Sequence, residues 1–159
     1  MKIGIISDTH MSKPSKELGA LTSGVFSDVA MILHAGDVTR LRVLEAFSDK
    51  EVIAVSGNMD QYDVRGTLPL SHVAVVDGYR IGLIHGWGGP SGIEDRVSQS
   101  FSDVNAIVYG HTHTPANHWH EGVLMFNPGA FSGSYSRKGY RSVGILTIDE
   151  GIRGEIIKL

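Results

Sequence analysis

Short apolar runs that end in possible metal ligands recur along this chain. The runs are rich in Ile, Val, Leu and Ala, which predicts buried strands, and each is followed by a loop that contains Asp, Asn or His. Open α/β sheets place their chemistry at the carboxyl ends of their strands. The pattern therefore predicts one end of a sheet at which oxygen and nitrogen donors gather. In chain order the five segments are Asp8-Thr9-His10, Gly36-Asp37, Gly57-Asn58, His85-Gly86 and Gly110-His111-Thr112-His113.

The first third of the chain predicts alternating strands and helices. We expect strands over residues 3–7, 30–34 and 52–55, and a helix over residues 16–28. A second helix is expected after Thr39, which can cap it, with Leu41, Leu44 and Phe47 on one face. A β-α-β-α-β order implies parallel strands that are joined by right-handed crossovers.

The remainder predicts a hairpin, one helix and further strands. Asp77-Gly78 is a typical turn pair for a hairpin of residues 72–76 and 79–85. Ser91 and Glu94 form a capping-box pattern, which predicts a helix to about residue 102. A buried strand is expected at 106–109, and antiparallel strands at 117–120, 123–126, 142–148 and 152–159. We expect an α/β fold of two packed mixed β-sheets, a β-sandwich flanked by helices, in a single domain that spans residues 1–159.

Composition excludes several classes of function. The 159 residues carry a net charge of -3 and include no cysteine, so disulfides, thiolate zinc clusters and cysteine nucleophiles are excluded. A dedicated nucleic-acid-binding function is not expected, because no basic tract stands out. No apolar stretch approaches the roughly 20 residues of a membrane helix. We expect a cytoplasmic protein without membrane association. The sequence leaves open whether the chain forms a homo-oligomer.

The donors at the predicted strand ends suit two metal ions. Imidazole nitrogens favour Mn, Fe, Zn or Ni over Ca or Mg, and a carboxylate can bridge two cations. Seven donors with one bridge give four ligands per ion and leave room for a shared water, as in a catalytic site. Taken singly, Asp37 and Asn58 could be turn residues and His85 a core histidine. The donors are Asp8, His10, Asp37, Asn58, His85, His111 and His113.

These ordered motifs resemble those of the calcineurin-like metallophosphoesterases. The resemblance runs from Met1 to about Gly133 and includes the turn Asn127-Pro128-Gly129. The short chain and Gly57-Asn58-Met59-Asp60 are similar to the small bacterial and archaeal phosphodiesterase branch. The resemblance implies a four-layer fold with helices outside two sheets, and a dinuclear centre in which Asp37 is the bridge. The implied ligands are Asp8, His10, Asp37 and His113 for the first ion, and Asp37, Asn58, His85 and His111 for the second.

The resemblance implies a metal-dependent phosphoesterase, with a phosphodiesterase favoured over a phosphatase and Mn favoured as the ion. A bridging hydroxide would attack the phosphorus of a small phosphoester in line, and Asp37, Asn58 and His85 would act through the metals. Larger phosphatases of the superfamily have a histidine where this chain has Met59, which cannot protonate a leaving alkoxide. Asp60 is a weak candidate for that acid. Either substrates with good leaving groups are favoured, or water supplies the proton.

The resemblance also supplies an alternative from another class, a non-catalytic scaffold. The retromer subunit of this fold is similar in size and works through protein contacts, but it departs from the ligand pattern at the second metal. Asn58, His85 and His111 are all present here. A nuclease would need a basic groove or added domains, and the sequence has neither.

Substrate selectivity is expected from four loops, at residues 11–16, 62–68, 87–91 and 131–139. Trp87 could line a substrate pocket or pack in the interior. Phosphate contact is conceivable in a glycine-rich segment that carries hydroxyl and basic side chains. These side chains are Ser132, Ser134, Arg137 and Lys138.

Overall fold

Two five-stranded sheets form the protein in a computed structural model that describes residues 1–133 and 139–159. The helices are α1 (Lys16–Ser23), α2 (Tyr62–Arg65), α3 (Ile93–Ser98) and a 3-10 helix, Leu41–Phe47. The strands are β1 (Lys2–Ile6), β2 (Met31–His34), β3 (Glu51–Ala54), β4 (Ser71–Val76), β5 (Tyr79–Ile84), β6 (Ala106–Tyr109), β7 (Ala116–His120), β8 (Val123–Asn127), β9 (Ser142–Ile148) and β10 (Ile152–Lys158).

Both sheets are mixed. The first has the order β10-β9-β1-β2-β3, with β1, β2 and β3 parallel and β9 and β10 antiparallel to their neighbours. The second has the order β4-β5-β6-β8-β7, with β5, β6 and β8 parallel. The prediction of two packed mixed sheets is thus confirmed. The expectation that β8 belongs to a purely antiparallel region is wrong, because β8 lies parallel beside β6.

The inner faces of the two sheets bury one shared apolar core. Ile5 and Leu33 of the first sheet and Val108 of the second are fully buried there. Phe126 of β8 reaches across to the first sheet, where its ring lies over two strands that carry glycine. A Cβ atom at Gly144 or Gly154 would come within 2.4 Å of that ring. The close approach of the sheets at this point therefore depends on glycine, which has no side chain, at both positions.

Two predicted helices differ from the observed ones in the first third of the chain. α1 ends at Ser23, and not near residue 28, because the chain turns at Gly24 and buries Phe26 and Val29 under the sheet. The segment after Thr39 is a 3-10 helix that has no side-chain cap. Thr39 instead has a φ of 77° and donates its backbone N–H to the Asp60 carboxylate.

The predicted capping box of the third helix is also wrong. The residue before α3 is Gly92, in a left-handed conformation with a φ of 68°, and no side chain caps the helix. Glu94 is engaged elsewhere, because its carboxylate accepts from the Tyr109 hydroxyl at 2.5 Å and lies 3.1 Å from His118 Nε2. Because the Glu94 carboxylate contacts Tyr109 and His118, it does not bind the backbone at the start of α3 as a capping box requires. Among the residues that the structure describes, no helix is long and apolar enough to cross a membrane.

The packing of Phe126 gives a test of the core. The substitution Gly144→Ala should destabilise the protein by about 1–3 kcal/mol, since an added methyl overpacks a filled core. Gly151→Ala is the matched control, because a Cβ there meets no atom within 4 Å. The free energies of unfolding of both variants can be compared by urea denaturation. Equal stabilities would contradict this account of the sheet interface.

Candidate metal centre

The loops that follow five strands meet at one end of the two sheets, and the seven predicted donors lie in them. The first group contains Asp8 and His10, after β1, and His113, after β6. Its ligand atoms all lie within 4.8 Å of one another. Asp8 Oδ1 is 3.1 Å from His113 Nε2 and 3.8 Å from His10 Nε2. One carboxylate oxygen thus faces two imidazole nitrogens.

A second group lies next to the first. Asp37 follows β2, and its Oδ2 is 3.3 Å from Nε2 of His85, which follows β5. Asn58 follows β3, and its side-chain oxygen is 3.2 Å from His85 Nε2 and 2.9 Å from His111 Nδ1. His85 also brings Asp8 into this group, because its Nε2 lies 4.0 Å from Asp8 Oδ1. All seven predicted donors are therefore neighbours in space.

Asp37 lies between the two groups. Its Oδ2 is 3.3 Å from His85 Nε2 and 3.8 Å from His10 Nε2. Its Oδ1 accepts the backbone N–H of Met59 at 2.8 Å, which fixes the plane of the carboxylate. The oxygen that is left faces one imidazole from each group.

The carboxylate of Asp8 has one oxygen held by the protein and one that is not. Oδ2 accepts from the Ser7 hydroxyl at 2.6 Å and from the His111 backbone N–H at 3.2 Å. Oδ1 is buried and accepts no hydrogen bond from the described residues, although His113 lies close. A buried carboxylate oxygen that accepts no hydrogen bond is costly unless a cation compensates it. The donor set therefore fits a metal ion beside Asp8.

Backbone carbonyls fix which nitrogen of each ring faces the centre. His85 Nδ1 lies 2.7 Å from the carbonyl of Ala35, and His111 Nε2 lies 2.8 Å from that of Gly88. A carbonyl accepts only, so these nitrogens donate. The opposite nitrogens, His85 Nε2 and His111 Nδ1, are left to face Asn58. Such outer contacts orient histidines for metal binding.

Arg96 of α3 holds the loop that orients His111, and sequence reasoning did not identify it. Its guanidinium donates to the carbonyls of Trp87 and Ser91, both at 2.9 Å, and to that of Gly89. Trp87 and Gly89 adjoin Gly88, whose own carbonyl meets His111. An arginine that binds main-chain carbonyls has no sequence signature, because its partners are defined by the path of the loop.

The ligand loops contain strained backbone. Residues with a side chain rarely adopt a positive φ, and such strain often marks functional sites at a cost of about 1–3 kcal/mol each. Five of the seven donors have a positive φ, between 49° and 69°. The rigid strand ends on either side hold these turns in place. The five are Asp8, His10, Asp37, His111 and His113.

Glycines next to the donors allow the loops to approach one another. A Cβ at Gly57 would lie 2.2 Å from Asp37 Oδ1, and one at Gly110 would lie 2.0 Å from the Ser7 hydroxyl oxygen. At Gly36 the same atom would come within 2.8 Å of the His85 ring. The glycine that precedes each of Asp37, Asn58 and His111 is thus a steric requirement of the centre.

Burial and charge set the protonation of the metal-free centre. Burial acts to lower the pKa of His85, but the hydrogen bond to Asp37 and the charge of Asp8 outweigh it and raise that pKa to about 9. Burial acts in the opposite direction on Asp37, whose pKa the His85 contacts nevertheless hold below its usual value. The Asp37 carboxylate and the protonated form of His85 thus stabilise each other.

Asp60 holds the loop after β3. Its Oδ2 accepts from Gly57 N–H at 2.7 Å, and its Oδ1 accepts from the Thr39 N–H. Burial raises the pKa of Asp60, against the effect of these two hydrogen bonds. With both oxygens bound to the main chain, the geometry favours a positioning role over that of a general acid. The Met59 side chain is 55% exposed, while its N–H binds Asp37.

Several further histidine, tryptophan, serine and basic residues were candidates for roles near the centre. His34 is fully buried in β2, with Nε2 3.2 Å from the Thr9 hydroxyl. Trp87 lines a groove next to His85. Ser132 donates its backbone N–H to the Asp8 carbonyl at 3.1 Å. Ser134, Arg137 and Lys138, for which phosphate contact was considered, lie outside the described residues.

Residues 1–151 match the family model of the calcineurin-like phosphoesterase superfamily domain. The chain belongs to that superfamily. A probable metallophosphoesterase of Methanothermobacter thermautotrophicus is 36% identical to this calcineurin-like phosphoesterase over 99% of the chain and 92% of the relative. The predicted family is thereby confirmed.

Solved structures agree with this family and its fold. An archaeal phosphodiesterase has a TM-score of 0.77 at 25% identity, with complete coverage of both chains. Vps29 of Entamoeba histolytica, solved as a complex with Zn, has a TM-score of 0.73 at 23% identity over 99% of each chain. At that identity the second likeness shows the phosphoesterase fold alone.

The steric role of Gly57 can be tested directly. Gly57→Ala should displace the Asp37 carboxylate and reduce metal affinity about 10–100-fold, the usual effect of disturbing the groups that orient ligands. Gly151→Ala is the control, because a Cβ there meets nothing within 4 Å and the residue lies in the turn between β9 and β10. Calorimetric titration with Mn(II) measures both. Unchanged affinity in Gly57→Ala would refute the steric argument.

Arg96 gives a second test from outside the ligand set. Arg96→Met should free the loop at Gly88, so that His111 loses its orienting carbonyl and metal affinity falls about 10–100-fold. Arg153→Met removes an exposed arginine that binds Asp149, and it should leave affinity unchanged. Matching Mn(II) titrations of the two variants would show that Arg96 does not position the site.

Proposed function

We propose that this calcineurin-like phosphoesterase is a phosphodiesterase that uses two divalent transition-metal ions. The position of Asp37 carries the proposal, because its Oδ2 faces an imidazole of each donor group, as a bridging ligand would. Asp8 supports it too, because its buried Oδ1 accepts no hydrogen bond from the described residues and faces imidazole nitrogens, where an ion would compensate the charge. The first ion would bind Asp8, His10, Asp37 and His113, and the second Asp37, Asn58, His85 and His111.

The ions would supply Lewis acidity that stabilises charge on the phosphoryl oxygens and lowers the pKa of an attacking water. The chain itself fixes the ligand atoms before substrate arrives. Carbonyls of Ala35 and Gly88 set the ring orientations of His85 and His111, and the Met59 N–H sets that of Asp37. Such prior positioning avoids a cost of reorganisation during reaction.

We propose Mn as the physiological ion, with Fe, Zn or Ni as the other candidates, because imidazoles and oxygen donors are mixed in both sets. The preference for small phosphodiesters draws on the similar archaeal phosphodiesterase. The engaged oxygens of Asp60 and the methionine at position 59 leave no evident side-chain acid there, which favours good leaving groups. A cytoplasmic location is in keeping with a sequence free of cysteine.

The alternative is a non-catalytic protein-interaction scaffold. The likeness of fold to Vps29 supports this alternative. The complete donor set of this chain supports the enzyme instead, because a scaffold has no need of strained loops that hold Asp37, Asn58 and His111 around one centre.

The proposal is tested by elemental analysis and by hydrolysis of bis(4-nitrophenyl) phosphate and 4-nitrophenyl phosphate with Mn(II). We expect two ions per chain and turnover of the diester in preference to the monoester. Asp37→Ala should lose both the activity and most of the metal, because it removes the shared ligand.

Asp149→Ala is the matched control, since that aspartate lies on the surface and pairs with Arg153. It should keep full metal content and turnover. Turnover retained in Asp37→Ala would refute the assignment. A wild-type protein with neither metal nor turnover would favour the alternative, a protein-interaction scaffold.

A further inference from the structure

A groove of about 640 Å³ opens beside the second donor group. Small-molecule sites usually enclose about 300–1,000 Å³, so the groove has the size of a ligand pocket. Two proposed metal ligands form one of its walls, and larger apolar or basic side chains form the others. The residues concerned are Asn58, His85, Arg65, Leu70, Ile84 and Trp87.

The apolar wall of the groove is exposed to water. Leu70 is 79% exposed and Trp87 is 48% exposed. Burying exposed apolar side chains under a ligand is favourable in free energy, in proportion to the area covered. An exposed indole also stacks well on flat rings. Because Arg96 binds the Trp87 carbonyl at 2.9 Å, the indole stands on a fixed backbone. The backbone that carries the indole is therefore anchored before a ligand binds.

Arg65 adds positive charge to the groove. Its guanidinium donates to the backbone carbonyl of Asn58, next to the metal ligands. A guanidinium in this place can face the negative phosphoester or the face of an aromatic ring. The combination of an indole, an aliphatic wall and a fixed cation is suited to a flat ring bound to an anionic group.

We propose that the groove binds a planar aromatic group carried by the phosphoester substrate. This inference rests on the proposed function, because the phosphoryl group must bind at the metals for its substituent to reach the groove. Asn58 and His85 belong to the second donor group and also line the groove, so a substituent on the bound phosphorus would extend directly from the metals into the groove. Trp87 is then a specificity-determining residue.

Binding of phosphonates tests the groove without turnover. Calorimetry on the Mn-loaded protein should show phenylphosphonate binding about tenfold tighter than methylphosphonate, since stacking of a ring on an aromatic side chain is worth about that much or more. Trp87→Ala should abolish this preference and leave methylphosphonate affinity unchanged. Trp119→Ala, the control, removes the other exposed tryptophan, on β7, and should keep the preference.

Fluorescence gives a second measurement. The chain has two tryptophans, so Trp119→Phe leaves Trp87 as the sole indole. Its emission should be quenched by 4-nitrophenylphosphonate and not by methylphosphonate. Adenosine 5′-monophosphate that binds more tightly than ribose 5-phosphate would identify the ring as a nucleobase. Equal binding of these two, with the phenyl preference retained, would indicate a ring attached directly to the phosphoryl group.

The outcomes separate the two proposals. Equal affinities of the wild type for phenylphosphonate and methylphosphonate would overturn the groove inference and leave the metal centre intact. The same holds if Trp87→Ala keeps the phenyl preference. A protein that retains no metal and binds neither phosphonate would instead overturn the proposed function.

Discussion

Two buried carboxylates next to each other are the constraint on which this end of the protein depends. Asp8 and Asp37 are almost completely shielded from water, and like charges so placed are expensive unless cations and hydrogen bonds compensate them. Each carboxylate has one oxygen bound to neighbouring groups of the chain and one that faces imidazoles. The surrounding loops hold the two carboxylates in this arrangement, in which a metal ion would compensate their charge.

The packed sheets hold the strained ligand loops in place. The strands end in a well-packed core, and the backbone just beyond them can adopt positive φ angles that would not persist in a free loop. Arg96 adds rigidity on the far side by binding three carbonyls of one segment. The stability of the core therefore supports a site that is locally unfavourable, as is common where function competes with stability.

The sequence predicts the parts of this protein that depend on local signals. The strands before Asp8, Asp37 and Asn58 are short apolar runs, and the donors follow them directly, so both the sheets and the list of candidate ligands could be predicted. The helix that ends at Ser23 was predicted too long, because Phe26 continues an apolar pattern while packing under a strand.

Other features depend on contacts between distant segments and left no local signal. Glu94 has the spacing of a capping residue but binds Tyr109 and lies next to His118. Arg96 and the groove at Trp87 become visible only when α3, β3 and β5 are placed in space. The donors themselves come from both sheets: Asp8, His10, Asp37 and Asn58 follow strands of the first, and His85, His111 and His113 follow strands of the second. Ions bound among them would join the two sheets across more than a hundred residues of sequence, and so act as a reversible cross-link in a chain that has no cysteine to form a covalent one.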